Sequence, residues 1–152
     1  MAAGQKNIAT NRRARFDYEI QEHIEAGIVL TGSEVKSLRA GRASLTDSFA
    51  QIQNGELWLE NMHIPPYEQG ERKGYHEKRA RKLLLHRKQI DRLVGKTAEK
   101  GLSLIPTRVY FSHGLVKVEL GLGKGKRRFE KRQAIAEREH NREIEQATRR
   151  RR

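Results

Sequence analysis

The chain has 152 residues, enough for one domain of ordinary size with a single sizeable core. Charged side chains make up 34% of it, against about 25% in an average globular protein. Its 32 Lys and Arg against 19 Asp and Glu leave a formal net charge of +13, and such a surplus gathers polyanions. Nucleic acid is the leading partner, because each phosphate neutralised also releases counterions. An anionic membrane is the rival, but it needs a basic helix with a bulky apolar face, and no such pattern is found. There is no Cys, which excludes disulfides and thiolate metal sites. Met1–Lys6 lacks the apolar core of a signal peptide, and no apolar run approaches the roughly 20 residues of a membrane span. A cytoplasmic location without membrane contact is expected.

Residues 1–15 are polar and end in Arg12, Arg13 and Arg15, which reads as a flexible basic arm. Phe16, Tyr18, Ile20 and Ile24 then alternate with polar residues, the period of a half-buried strand. Ala26-Gly27 predicts a bulge or bend, after which Ile28-Val29-Leu30 resumes the strand. Thr31-Gly32-Ser33-Glu34 has the spacing of a capping box, so a short helix through Val35, Leu38 and Arg39 should follow and stop near Gly41.

Asn54-Gly55 tolerates the positive φ values of a tight turn and predicts a hairpin between 48–53 and 56–59. Pro65-Pro66 closes the second strand. Residues 68–82 form a long basic loop carrying Arg72, Lys73, Lys78, Arg79, Arg81 and Lys82. Leu83-Leu84-Leu85 reads as a short buried strand. A helix over 89–100 follows, with Ile90, Leu93, Val94 and Ala98 on one face and Gly101 as its stop. Alternation through Ile105, Val109 and Phe111, a turn at Ser112-His113-Gly114, and alternation back through Val116, Val118 and Leu120 predict a second hairpin.

Composition changes near Gly121. Residues 124–152 carry twelve Lys or Arg against five Glu, more than half the net charge in under a fifth of the chain. Their few apolar residues form no stripe that could pack on a domain, yet helix formers dominate. The expectation is a basic tail, disordered when free, that becomes helical against RNA. The domain reading is therefore an arm at 1–15, a barrel at 16–123 and a tail at 124–152. The fold class expected is mainly β: a small closed antiparallel OB-like barrel with two or three short helices. A split α+β sandwich is the alternative.

Reactive chemistry is hard to find. Gly121, Gly123 and Gly125 lack the spacing and the Lys-Ser/Thr of a phosphate loop and read as a hinge into the tail. The six His show no ligand spacing, so neither a metal nor a cofactor is expected. No activated nucleophile is seen, and the chain is not expected to be an enzyme. Phe129, among Lys126, Arg127, Arg128, Lys131 and Arg132, suits stacking on a base; anchoring the root of the tail to the barrel is the other reading.

One long segment carries a resemblance. Glu25-Ala26-Gly27-Ile28-Val29-Leu30-Thr31-Gly32-Ser33-Glu34-Val35-Lys36-Ser37-Leu38-Arg39-Ala40-Gly41 resembles the signature of the SmpB family. Asn11-Arg12-Arg13-Ala14, Arg81-Lys82-Leu83-Leu84-Leu85-His86, and Lys124-Gly125-Lys126 leading into Lys131-Arg132 match it in the same order. The resemblance implies an OB-like barrel that binds the tRNA-like part of transfer-messenger RNA (SsrA) and brings it to stalled ribosomes in trans-translation. It implies a tail that enters the empty decoding and mRNA path of the small subunit in place of a codon–anticodon pair. Alanyl-tRNA synthetase and the elongation factor that delivers tRNA are the transient partners implied.

Carried over by position, Asn11, Glu25, Leu84 and His86 fall where the family contacts or shapes RNA; Leu84, being apolar, reads equally as a packing residue. Arg12, Arg13, Gly27, Lys36, Arg39, Arg79, Arg81 and Lys82 complete the expected RNA surface. Lys124, Lys126, Phe129, Glu130, Lys131 and Arg132 are expected in the decoding site. Glu130 stands where the family motif has Asp, keeping the charge with a reach one methylene longer. A generic structural RNA- or ribosome-binding protein and an RNA-processing enzyme are the other function classes considered.

Overall fold

The computed structural model describes residues 5–67, 73–126, 140, 142–144 and 146. Among the described residues up to 126, seven strands and three helices follow in the order β1 (Gln5–Thr10), α1 (Ala14–Asp17), β2 (Tyr18–Ile28), α2 (Gly32–Arg39), β3 (Phe49–Gln53), β4 (Glu56–Glu60), β5 (Arg81–Leu84), α3 (Arg87–Lys100), β6 (Ser103–Ser112) and β7 (Leu115–Gly125). All strand pairs are antiparallel. Their sheet order is β1-β6-β3-β4-β5-β2-β7, and β7 pairs again with β6. The pairings thus run in a ring of six strands with β1 outside it, and the link from β3 to β6 rests on the single register pair Ala50–Leu104.

Inward-facing residues fill one core. Ile24 and Ala26 of β2 meet Leu57 and Leu59 of β4, Leu83 of β5, Val109 of β6, and Val118, Leu120 and Leu122 of β7. Leu38 of α2 and Leu93 of α3 enter the same cluster, so each helix is held by burial of its apolar stripe rather than by helix propensity alone. The local signals act as chemistry requires. The Thr31 hydroxyl accepts from the Glu34 N–H at 3.3 Å and the Glu34 carboxylate accepts from the Thr31 N–H at 2.8 Å, closing the capping box. Asn54 (φ 53°) and Gly55 (φ 74°) turn the β3–β4 hairpin. Gly101 (φ 62°) stops α3.

Four expectations are corrected. Gln5–Thr10, read as part of a flexible arm, forms β1 on the edge of β6. Phe16 lies in the single turn of α1, not in a strand. β2 runs unbroken through Ala26-Gly27, and its register shift falls between Ile20 and Glu22. That shift turns Ile20 to the face opposite Ile24, where it lies over Gly121 beside Thr107. Gly121 and Gly123 are no hinge but buried positions of β7. A Cβ on Gly123 would stand 2.7 Å from the Glu19 carbonyl oxygen, so glycine is needed there for close backbone approach at the bulge.

Candidate nucleic-acid interface

The phase of β2 decides what reaches the outside. With Ile24 and Ala26 buried, Glu25, Gly27 and Val29 face outward. Gly27 is flanked by Leu84 of β5 and Lys117 of β7, and Lys117 is paired in turn with Tyr110 of β6. One outward row therefore crosses four strands as Leu84, Gly27, Lys117, Tyr110. A Cβ on Gly27 would lie 3.3 Å from the Leu84 Cβ, so the missing side chain leaves room for Leu84 to lie against the strand. Leu84 remains 50% exposed and Val29, across from Lys82, is 45% exposed. Two large apolar side chains among lysines make a surface able to pack on bases and sugars while its rim holds phosphates.

Glu25 is fixed on this face by the Tyr110 hydroxyl, which donates to its Oε2. The Tyr110 ring is covered by the Arg108 guanidinium, 4.0 Å from the ring centroid. Burial, reinforced by the Glu25 hydrogen bond, pushes the Tyr110 hydroxyl well above its usual range and keeps it a donor. Glu25 is itself exposed. A positioned carboxylate on an RNA surface accepts from base amino groups or 2′-hydroxyls.

The expected arginines separate into two roles. Arg81 has no exposed surface. Its Nε donates to Glu34 Oε2 at 2.5 Å, its Nη1 to the Met62 carbonyl at 2.6 Å, and its Nη2 to the Glu77 carbonyl at 3.1 Å. With its donors directed into the protein and no surface in water, Arg81 is a buried strut and not the phosphate contact expected from its place in a basic run. Glu34 is 1% exposed and also receives Arg79 Nη2 at 2.5 Å. Burial alone would raise the Glu34 carboxyl; hydrogen bonds from Arg79, the Thr31 N–H and Arg81 outweigh it and hold the group below its ordinary range. This knot ties α2 to the start of β5, and Arg79 at its edge remains partly open to solvent.

The remaining residues sit nearby or apart. Lys82 pairs with Glu56 at 3.1 Å. His86 is exposed at the start of α3, its N–H donating to Gln89 Oε1 at 3.0 Å. Lys36 is exposed, with its ammonium 5.8 Å from the Tyr67 ring centroid, and Arg39 is exposed in the same helix. Asn11 lies at the β1 edge of the same sheet: its Nδ2 donates to the Pro106 carbonyl at 2.9 Å and its N–H to the Thr107 carbonyl at 2.7 Å. There it continues the β1 edge where Pro106 interrupts the β6 ladder. Arg12 and Arg13 beside it are exposed. Thr10 pairs with Arg108, Arg108 with Glu119 and Glu119 with Glu25, so β1 runs into Asn11 across the same sheet, level with the middle of β2.

Lys124 is the register partner of Glu19, one pair before the end of the β2–β7 ladder, and the Lys126 N–H donates to the Asp17 carbonyl at 2.9 Å. These two belong to the folded body. Phe129, Glu130, Lys131 and Arg132 lie outside the described residues, as does Arg72. Of the distal tail, His140, Arg142, Glu143, Ile144 and Gln146 are helical. Lys117, Val29 and Tyr110 were not singled out from the sequence. The alternation of β7 made Lys117 outward-facing, but only strand pairing sets it beside Gly27.

Architecture and surface together define a class: small basic antiparallel β proteins that present sheet strands and flanking loops as one cationic, partly apolar face. The comparisons narrow the class. A family model described as SmpB protein matches residues 8–150. The "SsrA-binding protein" of Desulforudis audaxviator (strain MP104C) is 62% identical over 145 residues, 95% of each chain. That of Thermobifida fusca (strain YX) is 59% identical over 149 residues, 98% of this chain and 93% of its own. A solved structure described as "tmRNA-SmpB: a journey to the center of the bacterial ribosome" superposes with a TM-score of 0.67 at 50% identity, covering 88% of this chain and 95% of its own. The chain belongs to the SmpB family.

Proposed function

We propose that this protein binds the tRNA-like domain of transfer-messenger RNA and delivers it to stalled ribosomes for trans-translation. The observation that carries the reading is the Glu25–Gly27–Leu84 face, a fixed acceptor beside an exposed apolar ledge and lysines, in a chain 62% identical to an SsrA-binding protein. The Leu84–Val29 ledge packs on unstacked bases or sugars, Glu25 accepts from a base amino group or 2′-hydroxyl, and Lys82, Lys117 and Arg79 hold the backbone. Residues 127–152 enter the vacant decoding and mRNA path of the small subunit, with Phe129 stacking and Glu130, Lys131 and Arg132 making polar contacts. Alanyl-tRNA synthetase and the tRNA-delivering elongation factor meet the complex transiently, in the cytoplasm. The protein supplies binding and no bond-breaking chemistry.

A gel-shift series with labelled transfer-messenger RNA and excess bulk tRNA tests the first step. Retention of the complex under that competition is expected; equal affinity for the two RNAs would overturn the reading. Chain ending at Lys126 should still bind transfer-messenger RNA while peptide tagging on stalled ribosomes is lost. Binding weakened by orders of magnitude would make the tail the primary grip instead.

A further inference from the structure

A cavity system lies at the Tyr18 end of β2, away from the Leu84 face. Where β3 and β6 meet at one register pair, the strands splay. The opening leaves a cavity of about 470 Å³ whose walls include Arg12, Arg13, Asp17, Tyr18, Asp47 and Phe49, within the roughly 300–1,000 Å³ typical of ligand sites. A neighbouring cavity of about 410 Å³ shares Tyr18 and Phe49 and continues along Ala50–Ile52. Phe49 stands between the two and is 41% exposed. Asp47, just before it, holds a left-handed backbone (φ 61°), a conformation that costs free energy away from glycine and concentrates at ligand sites.

We propose that this seam is a binding site for unpaired RNA nucleotides, with a base stacked on Phe49 and its phosphate at Arg12. This deepens the proposed function and rests on it: the protein would grip its RNA at the Leu84 face and again at this seam, two strands away from β5. The charges at the cavity argue for a base over a free anion. Arg12 and Arg13 are offset by Asp17 and Asp47, and Arg13 already leans on Asp17 at 3.9 Å and over the Phe16 ring. A neutral, aromatic-walled opening with cations at its rim suits a flat heterocycle whose phosphate stays outside. The two carboxylates offer acceptors for the amino groups of adenine or cytosine. The continuous pair of cavities gives room for two successive nucleotides.

The test uses the full chain and a single-stranded tetranucleotide carrying 2-aminopurine, whose fluorescence is quenched on stacking. Saturable quenching is expected. Phe49→Ala should weaken binding by about 5- to 100-fold, the loss found when a stacking ring is truncated, while Phe49→Tyr binds as the parent does. Arg12→Gln should lower the slope of log K against log salt by about 0.7, one phosphate contact on a single strand. Inorganic phosphate should compete no better than chloride of equal ionic strength. Unchanged binding by Phe49→Ala with its circular dichroism preserved, equal losses for Phe49→Ala and Phe49→Tyr, or stoichiometric displacement by phosphate would each overturn the site. Selective binding of transfer-messenger RNA is read separately in the gel shift, so that reading stands or falls independently of the cavity.

Discussion

Arg81 shows how far one residue's role can depart from its neighbourhood in the chain. It sits in a run of cations, yet its guanidinium is enclosed with Glu34. Removing one member of a buried pair strands the other, at about 3–5 kcal/mol. Arg81→Met should therefore lower stability by that amount in urea denaturation, and Arg81→Met with Glu34→Leu should recover much of it. Glu34 also carries a pH signature. Its folded carboxyl is held below the ordinary value of 4.5, so its contribution is complete above that pH and drains away as pH falls through the folded value. Denaturation of the parent and of Glu34→Gln across pH 3 to 7 should show the parent's advantage shrinking below about pH 4.5. An advantage that stays flat would show that the carboxylate is not what the knot stabilises. Gly27, by contrast, acts through what it lacks: a valine there pushes Leu84 off the strand, and transfer-messenger RNA binding should fall while the fold persists.

At the scale of the element, the end of β7 illustrates why a glycine-rich run was misread. Glycine signals both freedom and close approach, and only the pairing with β2 tells which applies. Gly123→Ala drives a methyl against the Glu19 carbonyl and should cost about 1–3 kcal/mol, as overpacking does. A Cβ on Gly125 meets only the Tyr18 ring at 3.8 Å, so Gly125→Ala should be nearly neutral. Equal tolerance of the two in thermal denaturation would restore the hinge. The same register sets where the tail can be removed: cutting after Lys126 spares every β2–β7 pair, whereas cutting after Gly121 removes the buried Leu122. Short-range signals were read correctly because their physics is local. The Thr31–Glu34 box, the Asn54-Gly55 turn and the Gly101 stop each satisfy backbone groups within a few residues. The β2 bulge left no such mark, because it arises from matching an 11-residue strand to its partner across the sheet.

For the whole molecule, the net charge of +13 dictates strong salt dependence of RNA binding. The slope of log K against log salt should shrink when residues 127–152 are removed, by about 0.7–0.9 for each phosphate they neutralise; an unchanged slope would show that the tail stays off the isolated RNA. The sequence by itself determined the class of fold, the Thr31–Glu34 cap of α2, the Gly101 stop of α3, both hairpins and the polyanionic character of the partner. It also carried the motifs that mark the SmpB family. These follow from composition, from period-two alternation and from contacts a few residues apart. Only the tertiary structure decided which cations reach water: Arg81 goes inward to Glu34, Lys117 comes beside Gly27, and Asn11 closes the β1–β6 edge. It alone brought Phe49 to the opening between β3 and β6. Those placements depend on pairings between residues tens of positions apart, where strand register fixes the face on which each side chain emerges.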